Sequence, residues 1–353
     1  MKIAVAMSGG VDSSVTAALL IQQGHEVIGI TMRLFEPCTT GSGSAAHDAA
    51  LVAAHLGIPH HLAEFEPEFR ELIINDFIAE YGCGHTPNPC VRCNRYIKFG
   101  LLLDKARELG ADLLATGHYV RKTVDSDGAC HLRMARNIRK DQSYFLYTLT
   151  QPRLAQLLFP LGDCESKDDV RRLAREFGLP VAEKSDSQEV CFIPGDDYVA
   201  FLEGNNGLAD TRGDIVHLNG TLLGRHRGTH RYTIGQRKGM GIAWSEPLYV
   251  VAIETGSKRV VVAEQQHLFA PGLLATDLSW VAGVSETEMA CSCKIRYRHL
   301  PVACHVRIRD GGNCEVLFEQ VQKSVTPGQS VVFYQGDEVL GGARIVSALR
   351  TQQ

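Results

Sequence analysis

No apolar run in the 353 residues approaches the roughly 20 needed to span a bilayer as a helix, so no membrane helix and no membrane partner is expected. Nor does one sign of charge dominate. Lys and Arg number 36 against 40 Asp and Glu, and a net charge of −4 gives no overall pull toward nucleic acid. The opening "MKIAVAMSGG" lacks the long apolar core of a secretory signal; its single lysine and short apolar run, broken by Ser-Gly-Gly, read as a first strand. A cytoplasmic, reducing location is therefore expected. Eleven cysteines in that setting are more readily reactive, metal-bound or buried than cross-linked into a disulfide framework. Repeats and low-complexity segments are absent too. What is there is an ordinary globular composition, 44% apolar and 22% charged, on a chain long enough for two or three domains.

Up to about residue 190, strand and helix patterns alternate. "KIAVAM", "HEVIGITM", "IPHHLAEF" and "ADLLATGHYV" read as strands, and "SSVTAALLIQQG", "HDAALVAAHLG", "EFRELIINDFIAEYG" and "YIKFGLLLDKARELG" as helices. "SKDDVRRLAREFG" is a further helix with a serine cap, an acidic first turn and a stop at Gly178. This rhythm predicts a parallel sheet covered by helices on both faces. After about residue 205 the helical period stops. "GDIVHLNGTLLGRH" carries an Asn-Gly hairpin turn, "EPLYVVAIETGSKRVVVAE" reads as two strands, and short strands recur from Leu278 with "DGGN" and "QGDE" as turns. The expected plan is an α/β domain over residues 1–200, a central β-rich domain over 201–270 and a C-terminal antiparallel β-barrel over 271–353.

"AMSGGVDSS", residues 6–14, follows the first strand and opens the first helix. Gly9 and Gly10 let the backbone turn tightly, and the new helix presents free N–H groups and a partial positive charge to an anion. Ser8, Ser13 and Ser14 add hydroxyl donors, and Asp12 can cap the helix or help hold Mg2+. The loop has neither the Gly-Lys-Ser/Thr ending of a Walker loop nor the G-x-G-x-x-G of dinucleotide folds, which disfavours both chemistries. S-G-G-x-D-S resembles the signature of PP-loop ATP pyrophosphatases, which cleave ATP between the α- and β-phosphates and adenylate a carbonyl oxygen.

Adenylation calls for a nucleophile to displace AMP. Nitrogen nucleophiles make ligases, and sulfur nucleophiles make thiolases, which need a thiolate or persulfide. In "HTPNPCVRCNRYIKF", residues 85–99, Cys90 and Cys93 stand two apart after a stiff Pro-Asn-Pro turn, a spacing open to a metal, a disulfide, an iron–sulfur cluster or a nucleophile. Cys191 lies in the polar stretch "SDSQEVC" beside Pro194-Gly195, as in a functional loop. Basic residues also cluster: six Arg or Lys against one Asp in residues 212–238, with His217, His226 and His230, and "KIRYRH" around Tyr297. Such stripes fit an anionic partner on one face, and equally fit solvated surface.

Taken in order, "SGGVDSS", "TPNPCVRCNRYIKFG", "ATGHYV", "KDQSYFLYTL", "DSQEVCFIP" and "GTHRYTIGQRKG" resemble the motifs of the bacterial tRNA-specific 2-thiouridylases over nearly the whole chain. The resemblance implies ATP-dependent conversion of a tRNA wobble uridine to 2-thiouridine, with release of AMP and pyrophosphate. It also implies a central domain that binds tRNA and, as sulfur donor, a cysteine desulfurase or a sulfur-relay protein carrying persulfide. By position, it implies that Ala6, Met7, Ser8, Gly9, Gly10, Val11, Asp12, Ser13, Met32 and Gly117 contact ATP. Cys93 is similar to the nucleophile and Cys191 to the persulfide carrier, the two closing as a disulfide when sulfur leaves. Asn88, Pro89 and Cys90 correspond to the wall against the target base, and His118, Lys140, Asp141, Gln142, Arg296, Tyr297 and Gln329 to tRNA contacts. The residue types suit those contacts, with Lys140 and Arg296 for phosphate, Gln142 for a base edge and Tyr297 for stacking.

Cys90 departs from the family pattern, since many members carry an aspartate there. A carboxylate can act as a general base where a thiol cannot. Cys90, Cys93 and Cys191 can instead ligate an iron–sulfur cluster with one iron open to sulfide. A zinc site from Cys83, His85, Cys90 and Cys93 ranks lower, because one stiff loop rarely supplies four ligands and closed coordination removes the free thiolate. The remaining cysteines, including Cys38, Cys291 and Cys293, are expected to be small hydrophobes or surface thiols, and His47, His55, His60 and His61 structural or exposed. Two other classes compete: an amide-forming ATP pyrophosphatase, which needs no cysteine pair, and a non-catalytic RNA-binding protein that keeps nucleotide as a structural ligand.

Overall fold

The computed structural model describes all residues except 36–43, 186–189, 194, 196, 206–207, 209, 282, 284–286 and 351–353. Cys38 and residues 186–189 of the "SDSQEVC" stretch thus lie outside the described residues. Strands β1 (Lys2–Ala6), β2 (Glu26–Arg33), β3 (His60–Glu64) and β4 (Leu113–Ala115), with Leu157–Leu158, form a parallel sheet in the order β3-β2-β1-β4-(Leu157–Leu158). β1 is apolar throughout its middle because both of its faces are covered. Ile3 and Val5 enter one core with Val15, Val52 and Leu161, while Ala4 enters the other with Leu102 and Leu114. Helix α1 (Val11–Gln22) and helix α2 (Ala45–Leu56) cover the first face. Helix Lys167–Glu176 joins them, its cap Ser166 accepting a hydrogen bond from the Asp169 N–H as its sequence predicts.

The strand expected over "ADLLATGHYV" is corrected. Only Leu113–Ala115 stays in the sheet; the chain then leaves it, and Val120–Val124 pairs antiparallel with Cys130–Met134. Gly117 explains the break, since a Cβ there would stand 3.0 Å from the Asp12 carbonyl carbon and the Ser13 nitrogen. The hairpin docks onto the C-terminal barrel through a bridge between Arg133 and Glu338.

The central module pairs Gly213–His217 with Leu222–His226 as the predicted hairpin and adds Tyr249–Glu254 and Arg259–Ala263. In the barrel, Phe269–Trp280, Glu288–Lys294, Val302–Arg309, Asn313–Lys323, Ser330–Gln335 and Glu338–Leu349 form an antiparallel circuit closed by pairing of the first strand with the last. Its first strand starts at Phe269, ahead of the expected Leu278. Cys293, Cys304 and Cys314 are buried in its core, and the Cys291 and Cys304 sulfurs lie 3.7 Å apart as free thiols.

Two electrostatic locks hold barrel and α/β domain together. Arg133 reaches Asp337 at 2.8 Å and Glu338 at 3.1 Å, Arg121 reaches Asp337 at 2.5 Å, and His131 lies 2.6 Å from Glu338 and 3.1 Å from Asp125. The second lock is buried: Lys294 approaches Asp141 at 3.4 Å, while Asp141 also accepts from the Ala135 and Ser143 N–H groups and the Ser143 hydroxyl. Lys294 is therefore buried and not part of the surface stripe expected of "KIRYRH", and the Asp141 side chain is turned inward.

Asp141→Ala strands a buried ammonium and two N–H groups, and is expected to cost about 3–5 kcal/mol in urea unfolding. Arg172→Ala, at an exposed pair with Glu176, should cost less than about 0.5 kcal/mol. Hydrogen bonds to Glu338 and Asp125 raise the pKa of His131, so its protonated form stabilises the fold below the unfolded pKa of about 6.5 and loses that effect as pH rises through the folded value. The stability gap between wild type and His131→Gln is therefore expected to be widest near pH 6 and to shrink by pH 9, as read by denaturation at each pH.

Candidate active site

The order of the parallel sheet reverses between β1 and β4, and ligands of such sheets bind outside the carboxyl ends at that point. Two loops meet there: residues 7–10 after β1 and residues 116–119 after β4. In the first, Gly9 has φ +65, and a Cβ would stand 2.4 Å from the Ala45 carbonyl oxygen, so only glycine fits. The cap of α1 is Gly10, with no side chain on the amides, which leaves its first N–H groups facing outward. Ser13 Oγ accepts from the Ser8 N–H at 3.1 Å and closes the loop, and Ser14 Oγ donates to the Gly10 carbonyl at 2.8 Å. Asp12 Oδ1 is held at 2.7 Å by both Lys167 Nζ and Tyr119 Oη. Lys184 Nζ donates to the Gly9 carbonyl at 3.0 Å and meets Asp48 at 2.5 Å. The loop has no lysine of its own, yet Lys167 and Lys184 bring two to it. Sequence reading missed both, since they lie more than 150 residues downstream in a capped helix and a loop.

The cysteines occupy the adjoining cleft. The helix expected from Tyr96 begins earlier, at Pro89, a first-turn proline whose missing N–H costs nothing there. Cys90 and Cys93 therefore sit in its opening turns, and from Cys93 to Leu101 the helix is wound as a π-helix. Cys93 is buried among Phe69, Phe77, Ile97 and Phe192. Phe192 packs edge-on to Phe69 and Phe77 at 5.7 and 5.4 Å, which fixes the neighbouring Cys191 at the same cleft. Cys90 and Cys191 are exposed, yet desolvation raises the pKa of each, a combination expected of sulfurs on the floor of a cleft. Burial pushes the Cys93 thiol up to about 12, and the Lys98 ammonium opposes that rise. All three cysteines are free thiols.

The loop after β4 joins the two halves. Gly117 lies against Asp12 and Ser13, and the ring of the next residue, His118, lies 5.6 Å from Phe99 and 6.5 Å from Phe159. Burial holds His118 well below its usual pKa, with the Lys98 charge adding to the effect, so the ring is neutral; Nδ1 shares a 2.8 Å hydrogen bond with Thr116. No group of three His, Cys, Asp or Glu side chains among the described residues is placed to hold a metal ion. Cys90, Cys93 and Cys191, the alternative ligands of an iron–sulfur cluster, are not gathered into such a group here, and His85 of the alternative zinc site is engaged by Glu80 at 2.9 Å.

Family models match the chain end to end: the tRNA methyl transferase HUP domain over residues 1–195, the tRNA methyl transferase PRC-barrel domain over 200–264 and the aminomethyltransferase beta-barrel domain over 270–345. The chain is 68% identical to the tRNA-specific 2-thiouridylase MnmA of Pelobacter propionicus, with 99% of each chain covered. It is 64% identical to that of Trichlorobacter lovleyi over 100% of this chain and 99% of the relative. It is 54% identical to that of Geobacter metallireducens, over 99% and 97%. The chain belongs to the tRNA-specific 2-thiouridylase family.

The remaining positions singled out for a thiouridylase divide by their surroundings. Ala6, Met7, Val11 and Met32 sit at the carboxyl edge of the sheet beside the phosphate loop. Asn88 is the helix cap, with its side chain free of the N–H groups, and Pro89 is buried beneath it. Gln329 donates to the Thr86 carbonyl at 2.8 Å, so the barrel itself steadies the Pro-Asn-Pro segment. Gln142 Oε1 accepts from the Tyr119 N–H at 2.9 Å. Tyr297 packs on Phe145 at 4.5 Å, while Arg296 is exposed; Lys140 is half-buried. In the central module, Arg227, Arg237 and Lys238 are exposed, whereas His217, His226 and His230 are buried and bonded to Glu264, Lys258 and Glu203. The histidines are structural.

Gly9→Ala adds the left-handed backbone cost and a clash with Ala45, and is expected to lose roughly 2 kcal/mol or more and to weaken ATP binding at least about tenfold in titration calorimetry. Gly24→Ala, also at positive φ but with nothing within 4 Å, should lose only about 1–2 kcal/mol and leave ATP binding unchanged.

Proposed function

We propose that the chain adenylates the C2 oxygen of a tRNA wobble uridine with ATP and replaces that oxygen with sulfur carried as a persulfide on Cys191. One observation supports the reading: a single short loop touches both the start of α1, through Gly117, and the helix that carries Cys93, through the contact of His118 with Phe99. Adenylate and thiols are thereby brought to one place, which turns two encounters into one.

The uracil C2 oxygen attacks the α-phosphorus and pyrophosphate leaves. The terminal sulfur of the Cys191 persulfide bonds to C2, and AMP departs with the former C2 oxygen. Cys93 then attacks the Cys191 sulfur; the bond to the transferred sulfur breaks, its electron pair stays on that sulfur, and 2-thiouridine is released. The resulting Cys93–Cys191 disulfide is reduced by an external thiol before the next cycle. The α1 N-terminus, Ser8 and Lys184 stand where the phosphates of ATP need donors and positive charge. Mg2+ would arrive with the triphosphate, because Asp12 Oδ1 is already held by Lys167 and Tyr119. Tyr297, Arg296 and the basic residues Arg227, Arg237 and Lys238 offer a stacking platform and phosphate contacts to tRNA, with the splayed anticodon base entering over Asn88, Pro89 and Cys90. The sulfur donor is a persulfide-bearing desulfurase or relay protein.

Incubation with ATP, a persulfide donor and bulk tRNA should yield 2-thiouridine on nucleoside analysis, with AMP and pyrophosphate in equal amounts. Cys93→Ser should reduce 2-thiouridine formation by about three orders of magnitude or more. Undiminished thiolation by that variant would sink the proposal, and so would incorporation of ammonia in place of sulfur.

A further inference from the structure

The chain reaches the proposed base wall, Asn88 to Cys90, through residues 83–87, which belong to no helix or strand. Such a segment takes its position from its surroundings, and here both β-modules supply them. Gly84 has φ +79, and a Cβ there would stand 2.9 Å from Ile253 Cγ2 and 3.1 Å from Thr255 Cγ2 of the central module. Gly328, in the barrel turn before Ser330–Gln335, has φ +89. Its Cβ would stand 3.0 Å from His85 Cβ and from the nitrogen and carbonyl carbon of Thr86. Only glycine admits contacts this close at such dihedrals. Hydrogen bonds complete the clamp. The Thr86 N–H donates to the Pro327 carbonyl at 2.9 Å, and Gln329 Nε2 donates to the Thr86 carbonyl at 2.8 Å. His85 Nδ1 lies 2.9 Å from Glu80, whose carboxylate also accepts from Arg344 of the barrel at 3.2 Å. The turn is itself fixed, since the Gly328 N–H donates to the Ile345 carbonyl at 2.9 Å and the Ile345 N–H to the Gln329 carbonyl at 2.8 Å.

We infer that Gly84 and Gly328 are positioning residues for thiolation: by admitting the two β-modules to residues 84–86, they set where the wall against the target base stands. Pro87 and Pro89 stiffen the link, because each ring fixes its own φ and leaves little slack between Thr86 and Cys90. A shift forced on Thr86 is therefore passed on to Asn88 and Cys90. Gln329, Arg296 and Tyr297 belong to the same barrel. The surface proposed to receive tRNA and the wall proposed to receive its base thus form one mechanical unit. The inference rests on the thiolation reading above for its purpose, and one arm of its test does not.

Gly84→Ala and Gly328→Ala each force a Cβ into the clamp. Gly24→Ala, at φ +81 with nothing within 4 Å, is the control for backbone strain. Hydrogen exchange of the full chain, without ATP, tRNA or sulfur donor, is followed by mass spectrometry on peptides spanning residues 83–90. Exchange there should speed up about tenfold in both clamp variants and stay as in wild type in Gly24→Ala. In the thiolation assay, displacing the wall by roughly a few tenths of an ångström should lower kcat about tenfold, with KM for tRNA and Kd for ATP within about twofold of wild type. Gln329→Leu cuts one bond to the segment and adds no strain, so it carries the exchange arm if a glycine variant does not fold; exchange should then rise about fivefold. Unchanged exchange at residues 83–90 would overturn the inference, and so would an undiminished kcat in both clamp variants. An equal loss in Gly24→Ala would overturn it as well, since that marks general destabilisation, as would a loss confined to ATP binding. Absence of 2-thiouridine from the wild-type reaction would count against the thiolation reading alone, and exchange would still decide the clamp.

Discussion

The constraint on which the site depends is the close approach of the residue 117 backbone to the start of α1. Glycine is the residue that permits it, because any Cβ would meet Asp12 and Ser13 at 3.0–3.1 Å. The approach ends β4 early and lowers the following loop onto the mouth of the phosphate loop. It also carries His118 across to Phe99 on the cysteine helix. The glycine-rich loop and the helix that carries Cys93, separated in sequence by about eighty residues, are joined through this one loop. The same departure frees the chain to form the hairpin that reaches the barrel.

Charge is then placed where the loop itself has none. A Walker loop supplies its own lysine. Here Lys167 and Lys184 converge from the distal part of the domain, each tied to a carboxylate that sets its position. The thiol cleft is handled in the opposite way. Burial raises the pKa of Cys90, Cys93 and Cys191, and no lysine is joined to a carboxylate beside them among the described residues.

The β-modules are part of the site and not appendages to it. Gln329 holds the Thr86 carbonyl, Arg344 of the barrel reaches Glu80 at 3.2 Å, and Lys294 is buried against Asp141. The segment that carries Pro89 and Cys90 is therefore supported from both sides, by its own helix and by the barrel. Tyr297 stands on Phe145, whose carbonyl accepts at 3.2 Å from Asn94, the residue after Cys93. A tRNA resting on the barrel would thus lie on a surface mechanically continuous with the cysteine helix.

Local chemistry was legible without coordinates: the glycine-rich turn of residues 8–10, the serine cap at Ser166, the Asn-Gly hairpin and the paired cysteines each announce themselves over a few residues. Together with the ordered motifs they determined the fold class, the α/β-then-β plan and the family. What lies beyond that range was decided only in three dimensions. Lys140 and Asp141 look alike as exposed candidates in sequence, yet Asp141 is buried because Lys294 arrives from a strand about 150 residues away. Lys167 and Lys184 reach the residue 7–12 loop only through the tertiary fold, which neither residue type nor spacing reveals. The physical reason is common to both: burial and electrostatic potential at a side chain are sums over everything packed around it, and most of those neighbours are remote in the chain.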